Sequence, residues 1–155
     1  KKVNILKLKE IENYILKNNI NLILHFAALS KVKECEKDKK KAYNLNVIGT
    51  GNVVRAAKNA KNTVKLLFMS SDAVYPSTKG NYKETDKLKP YNFDGQTKLI
   101  GEHSSATNVL QAVTKLAPTL SSFNLNGLSM SQNCPSGQAV PSIHNEVQLL
   151  EIQTL

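Results

Sequence analysis

The sequence has little cysteine and no long apolar run. Its two cysteines, Cys35 and Cys134, lie far apart in a spacing that fits neither a disulfide framework nor a zinc site. The longest nearly apolar stretch covers residues 22–29 and is too short to cross a bilayer, and no charged-then-apolar signal precedes it. These absences argue against membrane association and favour a reducing, cytosolic compartment.

Arginine is also scarce, which bears on the meaning of the net charge of +9. Residues 1–103 hold 20 of the 21 basic residues, and only Arg55 among them is an arginine. Recognition of phosphates and bases favours arginine over lysine. The densest basic run, residues 37–41, falls where a helix surface is expected. We therefore interpret the charge as a solvated lysine-rich face and expect no nucleic-acid partner.

The basic residues divide the chain into two parts that meet near His103. Residues 104–155 contain one lysine and two glutamates and are rich in serine, asparagine, glutamine and threonine. This change of composition predicts a folded domain in residues 1–103. It leaves residues 104–155 as a polar segment of unknown structure.

Strand-like and helix-like segments alternate along residues 1–103. Strands are predicted at residues 3–6, 22–28 and 64–69, and helices at residues 10–18, at about 33–60, and from Pro90 towards His103. The apolar run at 22–28 shows no alternation, as expected for a strand covered on both faces. Residues 109–116 and 147–155 fit either a strand or a helix. This order predicts an α/β fold with a doubly wound parallel sheet.

Two loops follow the predicted buried strands. Ligands of doubly wound sheets bind beyond the carboxyl ends of the strands, which are here residues 25–30 (HFAALS) and 69–72 (MSSD). The sequence therefore predicts a binding site at these two loops.

Four motifs carry a resemblance to a known family. They are HFAALS at 25–30, NVIGTGNV at 46–53, MSSDAVY at 69–75, and GNYKETDKLKP followed by GQTKLIGE within 80–102. In this order and spacing, residues 1–103 resemble the extended short-chain dehydrogenases/reductases. They are most similar to the dTDP-4-dehydrorhamnose reductases, which reduce the 4-keto group of a nucleotide sugar with NADPH or NADH. The resemblance implies a partial Rossmann-like NAD(P)-binding domain, a nucleotide-sugar substrate and NADP or NAD as cofactor.

The resemblance assigns residues to the cofactor. Ala27 and Ala28 match the small residues that let the cofactor pass close to the backbone, although close packing of strand and helix would need the same residues. Ser70 is expected beside them. Lys98 matches the lysine that holds the nicotinamide ribose and lowers the pKa of a tyrosine four residues earlier; the alternative is a surface lysine. Residues four apart share one helix face, so the spacing suits that role.

The resemblance also assigns residues to the substrate. Ser71 matches the catalytic hydroxyl, which binds the carbonyl oxygen as negative charge develops on it, although it could instead cap a turn. Asn46 and Asp72 are expected to support or bind the substrate. For Asn46 the alternative is a local hydrogen bond inside its helix.

The proton donor of the family is replaced in this sequence. The tyrosine should stand four residues before Lys98, where the sequence has Asp94. An ordinary aspartate is ionised at neutral pH, and its carboxyl lies closer to the backbone than a phenol oxygen. We expect Asp94 to form an i,i+4 ion pair with Lys98. Tyr91 lies a turn too far away to substitute, so little or no reductase chemistry is expected.

The glycine-rich cofactor turn is the second departure. No GxGxxG or GxxGxxG occurs, and Gly49-Thr50-Gly51 falls inside a predicted helix. The resemblance therefore predicts that the N-terminal βαβ unit is missing. A truncated, frame-shifted or fused reading frame would explain this and the composition of residues 104–155, and a degenerate paralogue of the family is the alternative. Open sheet edges would then favour pairing with a second copy of the chain.

Three functions stay open at this point. The first is a nucleotide-sugar reductase of the dTDP-4-dehydrorhamnose type, impaired or inactive in this chain. The second is a non-catalytic binding or regulatory module of the same fold. The third is a nucleotide-sugar epimerase or dehydratase, because those enzymes share most of the motifs.

Overall fold

A parallel sheet with helices packed against it positions the site. The computed structural model describes residues 3–78, 80–106, 111–114 and 149–152. The helices are α1 (Leu8–Lys17), α2 (Val32–Lys37), α3 (Lys39–Tyr43), α4 (Thr50–Asn59) and α5 (Phe93–Ala106), with a π-helical segment at Asn44–Gly49 and a 3₁₀ turn at Asp72–Val74. The strands are β1 (Leu22–His25), β2 (Lys65–Met69), β3 (Gln111–Thr114) and β4 (Leu149–Ile152).

The strands run parallel, in the order β3-β2-β1-β4. At the centre, Ile23 of β1 lies opposite Leu66 of β2, and His25 lies opposite Phe68. The prediction of an α/β fold with a parallel sheet is confirmed. The two segments that fitted either a strand or a helix contain β3 and β4.

The core lies between one face of the sheet and the helices α1 and α4. Ile11 and Ile15 of α1 and Val53 of α4 pack with Ile23 and Leu66. Burial alternates along β1: Ile23 and His25 are buried, whereas the residues between and before them are half-buried. In the part of the chain that the structure describes, β1 is therefore not fully covered on both faces, contrary to the prediction.

The strand predicted at residues 3–6 is wrong. The side-chain oxygen of Asn4 accepts a hydrogen bond from the backbone N–H of Leu6 at 2.9 Å, and the N–H of Lys7 donates to the carbonyl of Asn4 at 3.0 Å. Asparagine offers the backbone these local bonds in place of a strand ladder. Ile5 is nevertheless buried, so the apolar signal came from a turn that packs on the core.

The single helix predicted at residues 33–60 is divided. Asp38 leaves the helical conformation, with φ −132° and ψ 77°, and its side chain caps α3 by accepting from the N–H of Lys41 at 2.9 Å. The π-helical segment then separates α3 from α4. Capping explains the break, because aspartate is a favoured residue at helix N-termini.

The last helix begins later than predicted. Asn92, rather than Pro90, precedes its first turn, and the side-chain oxygen of Asn92 accepts from the N–H of Gly95 at 2.8 Å. A side-chain cap of this kind satisfies one of the free N–H groups at a helix start. Within the described residues, no helix combines the length and the apolar character needed to cross a membrane.

Candidate functional site

Asn46 connects the loop after β1 with α5. Its side-chain oxygen accepts from the N–H of Leu29 at 2.8 Å, and its Nδ2 donates to the Leu29 carbonyl at 2.9 Å and to the Thr97 hydroxyl at 2.9 Å. The Thr97 hydroxyl in turn donates to the carbonyl of Asp94 at 2.8 Å. These partners of Asn46 are 17 and 51 residues away in sequence, so its bonds are not local ones within its helix. Asn46 is 2% exposed, and a role towards substrate stays a prediction.

Helix α5 lies tightly along the carboxyl end of β2. Lys98 is buried, and its Nζ donates to the Met69 carbonyl at 3.3 Å and lies 5.5 Å from the centre of the Phe68 ring. One turn later, Glu102 accepts a hydrogen bond from the Ser70 hydroxyl. A Cβ atom at Gly101 would lie 2.7 Å from Cζ of Phe68, which explains why the helix can approach so closely. Lys98 is therefore not the surface lysine of the alternative reading.

The environment of Lys98 opposes its positive charge. Burial lowers the pKa of Lys98, and the nearby Asp94 carboxyl and Cys35 thiol act in the opposite direction. Burial disfavours an ammonium ion because the low-dielectric interior replaces water.

Ser71 caps the 3₁₀ turn after β2. Its hydroxyl accepts from the N–H of Ala73 at 3.2 Å and donates to a carboxylate oxygen of Asp72 at 3.2 Å. The turn packs against α5, where a Cβ atom at Gly95 would collide with the carbonyl group of Ala73. The capping alternative is thus part of the structure, and the catalytic role of Ser71 and the substrate role of Asp72 stay predictions.

Ala27 and Ala28 are buried directly after β1, with 3% and 8% of their surfaces exposed. Ala27 belongs to the hydrophobic core with Ile23 and Val53, so close packing alone accounts for its small size. Whether either alanine also lies beside a cofactor stays a prediction.

The ion pair expected between Asp94 and Lys98 is not formed. Neither residue takes part in the exposed ion pairs that form along α1 and around α2, namely Lys9–Glu12, Lys31–Glu34 and Lys39–Glu36. The Lys98 side chain turns to the Met69 carbonyl instead. The spacing of four residues places Asp94 and Lys98 on one helix face. The contact of α5 with β2 nevertheless directs the Lys98 ammonium to β2 rather than to Asp94.

Asp94 itself is almost fully buried, with 4% of its surface exposed. Its Oδ1 lies 4.0 Å from Sγ of Cys35. Burial raises the pKa of Asp94, the positive charge of Lys98 lowers it, and the carboxylate of Asp72 raises it, with a net increase. The pKa of Asp94 thus lies above that of an ordinary aspartate, and its ionisation at neutral pH stays a prediction.

Cys35 is a buried structural thiol next to Asp94. It is fully buried, and its thiol donates to the carbonyl of Leu29 at 3.1 Å. Burial, and then the nearby Asp94 carboxyl, raise the pKa of Cys35 to about 11. The reactive form of cysteine is the thiolate, so Cys35 is not a nucleophile in this state.

His25 is the last residue of β1 and is buried next to the site. It is 1% exposed, its Nε2 lies 2.9 Å from the hydroxyl of Thr50, and its ring centre lies 5.6 Å from that of Phe68. Burial, with a smaller effect of Lys98, lowers the pKa of His25 to about 3, so the ring is neutral. Over the residues that the structure describes, no cluster of His, Cys, Asp and Glu could hold a metal ion.

Sequence reasoning missed three contributors to this site. Glu102 stands four residues after Lys98, and that spacing was the signal that could have placed it on the same face. Thr97 and Cys35 carried no such signal, because their partners come from distant parts of the chain.

Comparison with known proteins places the chain in a family. Residues 1–117 match the family model of the RmlD substrate binding domain. A UDP-glucose 4-epimerase of Mycoplasma genitalium is 32% identical over 86% of this chain and 40% of its own length. The beta subunit of methionine adenosyltransferase 2 of Bos taurus is 33% identical over 76% of this chain and 35% of its own.

A solved structure shows the same partial likeness. A dTDP-4-dehydrorhamnose reductase of Bacillus anthracis in complex with NADP is 27% identical, with a TM-score of 0.65 over 70% of this chain and 38% of its own. The chain thus spans two fifths or less of the length of these proteins. The family model, in contrast, covers well over half of the chain. The chain therefore belongs to the RmlD substrate binding domain family, within the NAD(P)-binding epimerases and reductases of Rossmann type.

Proposed function

We propose that this chain holds the nicotinamide-ribose and carbonyl end of an NAD(P)-dependent nucleotide-sugar reductase of the dTDP-4-dehydrorhamnose type, with its reduction step impaired. The observation that carries the proposal is the contact of Lys98 with the carboxyl end of β2, where Ser70 and Ser71 follow. Ligands of open α/β sheets bind at this edge. The NADP-bound reductase and the UDP-glucose epimerase support a nucleotide sugar as substrate and NADP or NAD as cofactor.

The side chains present fit the nicotinamide end of such a cofactor. An ammonium group has three N–H donors, and the Lys98 ammonium has one carbonyl acceptor, that of Met69, so donors are left for ribose hydroxyls. Ala27 and Ala28 are small enough for close approach to the backbone. A bound NADP or NAD supplies the hydride. The Ser71 hydroxyl donates a hydrogen bond to the substrate carbonyl by giving up its bond to Asp72.

The impairment follows from residue 94. In the resemblance, a tyrosine there gives the proton to the carbonyl oxygen. The carboxyl of Asp94 ends nearer the backbone and lies against Cys35, 4.0 Å away. A proton donor must come within hydrogen-bond reach of the atom it protonates, and the shorter side chain does not reach as far.

Saturation-transfer NMR with NADPH tests the cofactor part of the proposal. We expect the nicotinamide-ribose protons to receive magnetisation from the chain, and we expect the signal to fall in Lys98→Met. Lys58→Met, which removes an exposed lysine of α4, is the matched control. Equal signals from the two variants would contradict the assignment of Lys98.

Consumption of NADPH with dTDP-4-dehydrorhamnose tests the impairment. We expect none from the chain, whereas consumption that appears in Asp94→Tyr assigns the loss to position 94. Because Cys35 faces this position, the double variant Cys35→Ala/Asp94→Tyr provides room if the single variant does not fold. Turnover by the unchanged chain would contradict the proposed impairment.

A non-catalytic binding or regulatory module is the second candidate function. The observation that favours it is the 33% identity to the beta subunit of methionine adenosyltransferase 2. Sedimentation of the chain with a purified catalytic subunit of methionine adenosyltransferase is the test. A complex that forms without NADPH consumption would favour this candidate, and separate sedimentation would count against it.

An epimerase of nucleotide sugars is the third reading, favoured by the match to the Mycoplasma genitalium protein. Binding competition between UDP-glucose and dTDP-4-dehydrorhamnose discriminates the two substrate classes. We expect the dTDP sugar to compete better. Preference for UDP-glucose would favour the epimerase.

A further inference from the structure

Glu102 is a buried acidic residue that contacts the chain directly after β2. It lies in the second half of α5 with 8% of its surface exposed, and its carboxyl accepts a hydrogen bond from the Ser70 hydroxyl, which is equally buried. Burial of a carboxyl group without donors is costly, so Glu102 needs this hydroxyl as a partner. The two residues are 32 positions apart in sequence, so their bond joins α5 to the end of the strand.

Helix α5 also holds the residue before Ser70. One turn before Glu102, the Nζ of Lys98 donates to the carbonyl of Met69 at 3.3 Å. The Lys98 bond fixes the backbone of the last strand residue, and the Glu102 bond fixes the side chain of the next residue. Two bonds on consecutive residues determine both where the chain leaves the strand and how it is rotated there.

Ser71 comes next and has an extended backbone, with φ −147° and ψ 153°. Successive side chains of an extended chain point to opposite sides. Because the Ser70 side chain points to α5, the Ser71 hydroxyl lies on the other side of the chain, where it accepts from the N–H of Ala73 at 3.2 Å. A rotation of the chain at Ser70 would therefore move the Ser71 hydroxyl.

We infer that Glu102 is a positioning residue for Ser71: its bond to Ser70 fixes the direction in which the Ser71 hydroxyl is presented at the carboxyl edge of the sheet. The two adjacent serines then have different roles. The Ser70 hydroxyl transmits the position of α5, and the Ser71 hydroxyl meets the ligand. A donor that is held in place beforehand needs no reorganisation when charge develops on a bound carbonyl. This role towards a substrate rests on the proposed function, which assigns the substrate carbonyl to Ser71.

Amide hydrogen exchange of the free chain tests the positioning without any ligand. The reporter is the N–H of Ala73, which donates to the Ser71 hydroxyl. We expect it to exchange about tenfold faster in Glu102→Ala and in Ser70→Ala. Glu102→Gln keeps an oxygen acceptor for Ser70 and is expected to stay near the rate of the parent chain. The double variant Glu102→Ala/Ser70→Ala is expected to exchange no faster than either single variant, because both act through one bond.

Two controls separate positioning from a general loss of stability. Val53→Ala weakens the core between α1, α4 and the sheet, and Gln96→Ala changes an exposed position of α5. Both are expected to leave the exchange of the Ala73 N–H unchanged, and equal acceleration in Val53→Ala would overturn the inference. Unchanged exchange in Ser70→Ala, or equal acceleration in Glu102→Gln and Glu102→Ala, would also overturn it. If Glu102→Ala does not fold, Ser70→Ala and Glu102→Gln still decide.

Binding of dTDP-4-dehydrorhamnose tests the role towards the substrate. We expect Ser71→Ala and Glu102→Ala each to lose about tenfold in affinity, and the double variant to lose no more than Ser71→Ala alone. Additive losses would overturn the action of Glu102 through Ser71. Absence of binding by the parent chain would contradict the proposed function and with it this substrate role. The exchange of the Ala73 N–H would then still decide whether Glu102 positions Ser71.

Discussion

Single residues in this protein act through what surrounds them rather than through their type. Asp94 and Lys98 carry opposite charges at helical spacing, yet they do not form an ion pair because the Lys98 ammonium bonds to the Met69 carbonyl. His25 is neutral because it is buried, with its ring in contact with the ring of Phe68. In the first case a tertiary hydrogen bond, and in the second case burial, outweighs the ordinary chemistry of the side chain.

Replacement of the buried carboxyl gives the first prediction. The raised pKa of Asp94 means that its contribution to stability is fully present below the unfolded value of about 3.9 and is lost as the pH rises through the folded value. We expect Asp94→Asn to remove this pH dependence and to stabilise the chain by about 1 kcal/mol at neutral pH. Thermal unfolding across the pH range measures it.

The control for this prediction is Glu84→Gln, which removes an exposed carboxylate outside the helices and strands. It is expected to leave the pH profile nearly unchanged. Identical profiles for the parent chain and Asp94→Asn would contradict the raised pKa.

The hydrogen bonds of Asn46 give a second prediction at the residue scale. Asn46→Ala removes bonds to both backbone groups of Leu29 and to Thr97, all of them buried or partly buried. The expected loss is about 2–3 kcal/mol in the free energy of unfolding, measured with urea. Asn13→Ala is the control, because Asn13 is exposed on α1 and is expected to change stability by less than about 0.5 kcal/mol.

At the scale of elements, the contacts of α5 depend on two glycines. Gly95 touches the 3₁₀ turn through the Ala73 carbonyl, and Gly101 touches the Phe68 ring. Gly51 of α4, in contrast, has open space where a Cβ atom would stand. The same residue type therefore has opposite consequences in two helices.

This difference predicts opposite signs for two matched substitutions. Gly95→Ala is expected to destabilise the chain by about 1–3 kcal/mol, because the methyl group meets backbone atoms that cannot move aside. Gly51→Ala is expected to stabilise it by about 0.5–1 kcal/mol through helix propensity. Urea unfolding of both variants measures the pair, and a loss of stability in Gly51→Ala would contradict the open environment.

At the scale of the whole molecule, the apolar pattern predicted the two central strands and missed the polar breaks between elements. The strands β1 and β2 were predicted from apolar runs, α1 from helical spacing, and α5 from the proline that precedes it. The wrong predictions come from local side-chain bonds, such as those of Asn4 and Asp38, which periodicity does not report. The boundary near His103 stays a prediction, because most of residues 104–155 lie outside the described part.

The candidate site was only partly predictable for a related reason. The resemblance assigned Ser71 and Lys98 to one site, and the shared edge of parallel strand ends predicted that residues 25–30 and 69–72 lie together. The bonds of Asn46 join residues 17 and 51 positions apart, and no local pattern encodes them. The direction of the Lys98 side chain depends equally on tertiary contacts.

Thiol labelling gives a prediction for the whole fold. Cys35 is fully buried in the free protein, so we expect a thiol reagent to reach it only when the structure opens. In a Cys134→Ser background, labelling is expected to be at least about a thousandfold slower than in urea-unfolded chain. Rapid labelling without denaturant would contradict the burial of Cys35.

The collision at position 95 has a geometric consequence for α5. If the helix slipped by one residue, Asp94 or Gln96 would stand where Gly95 meets the carbonyl of Ala73, and neither side chain has room there. The contact at Gly95 therefore fixes the rotation of α5 about its own axis. Because residue 95 is a glycine, Lys98 and Glu102 are held at fixed positions around the helix axis. They make their contacts one and two turns later in α5.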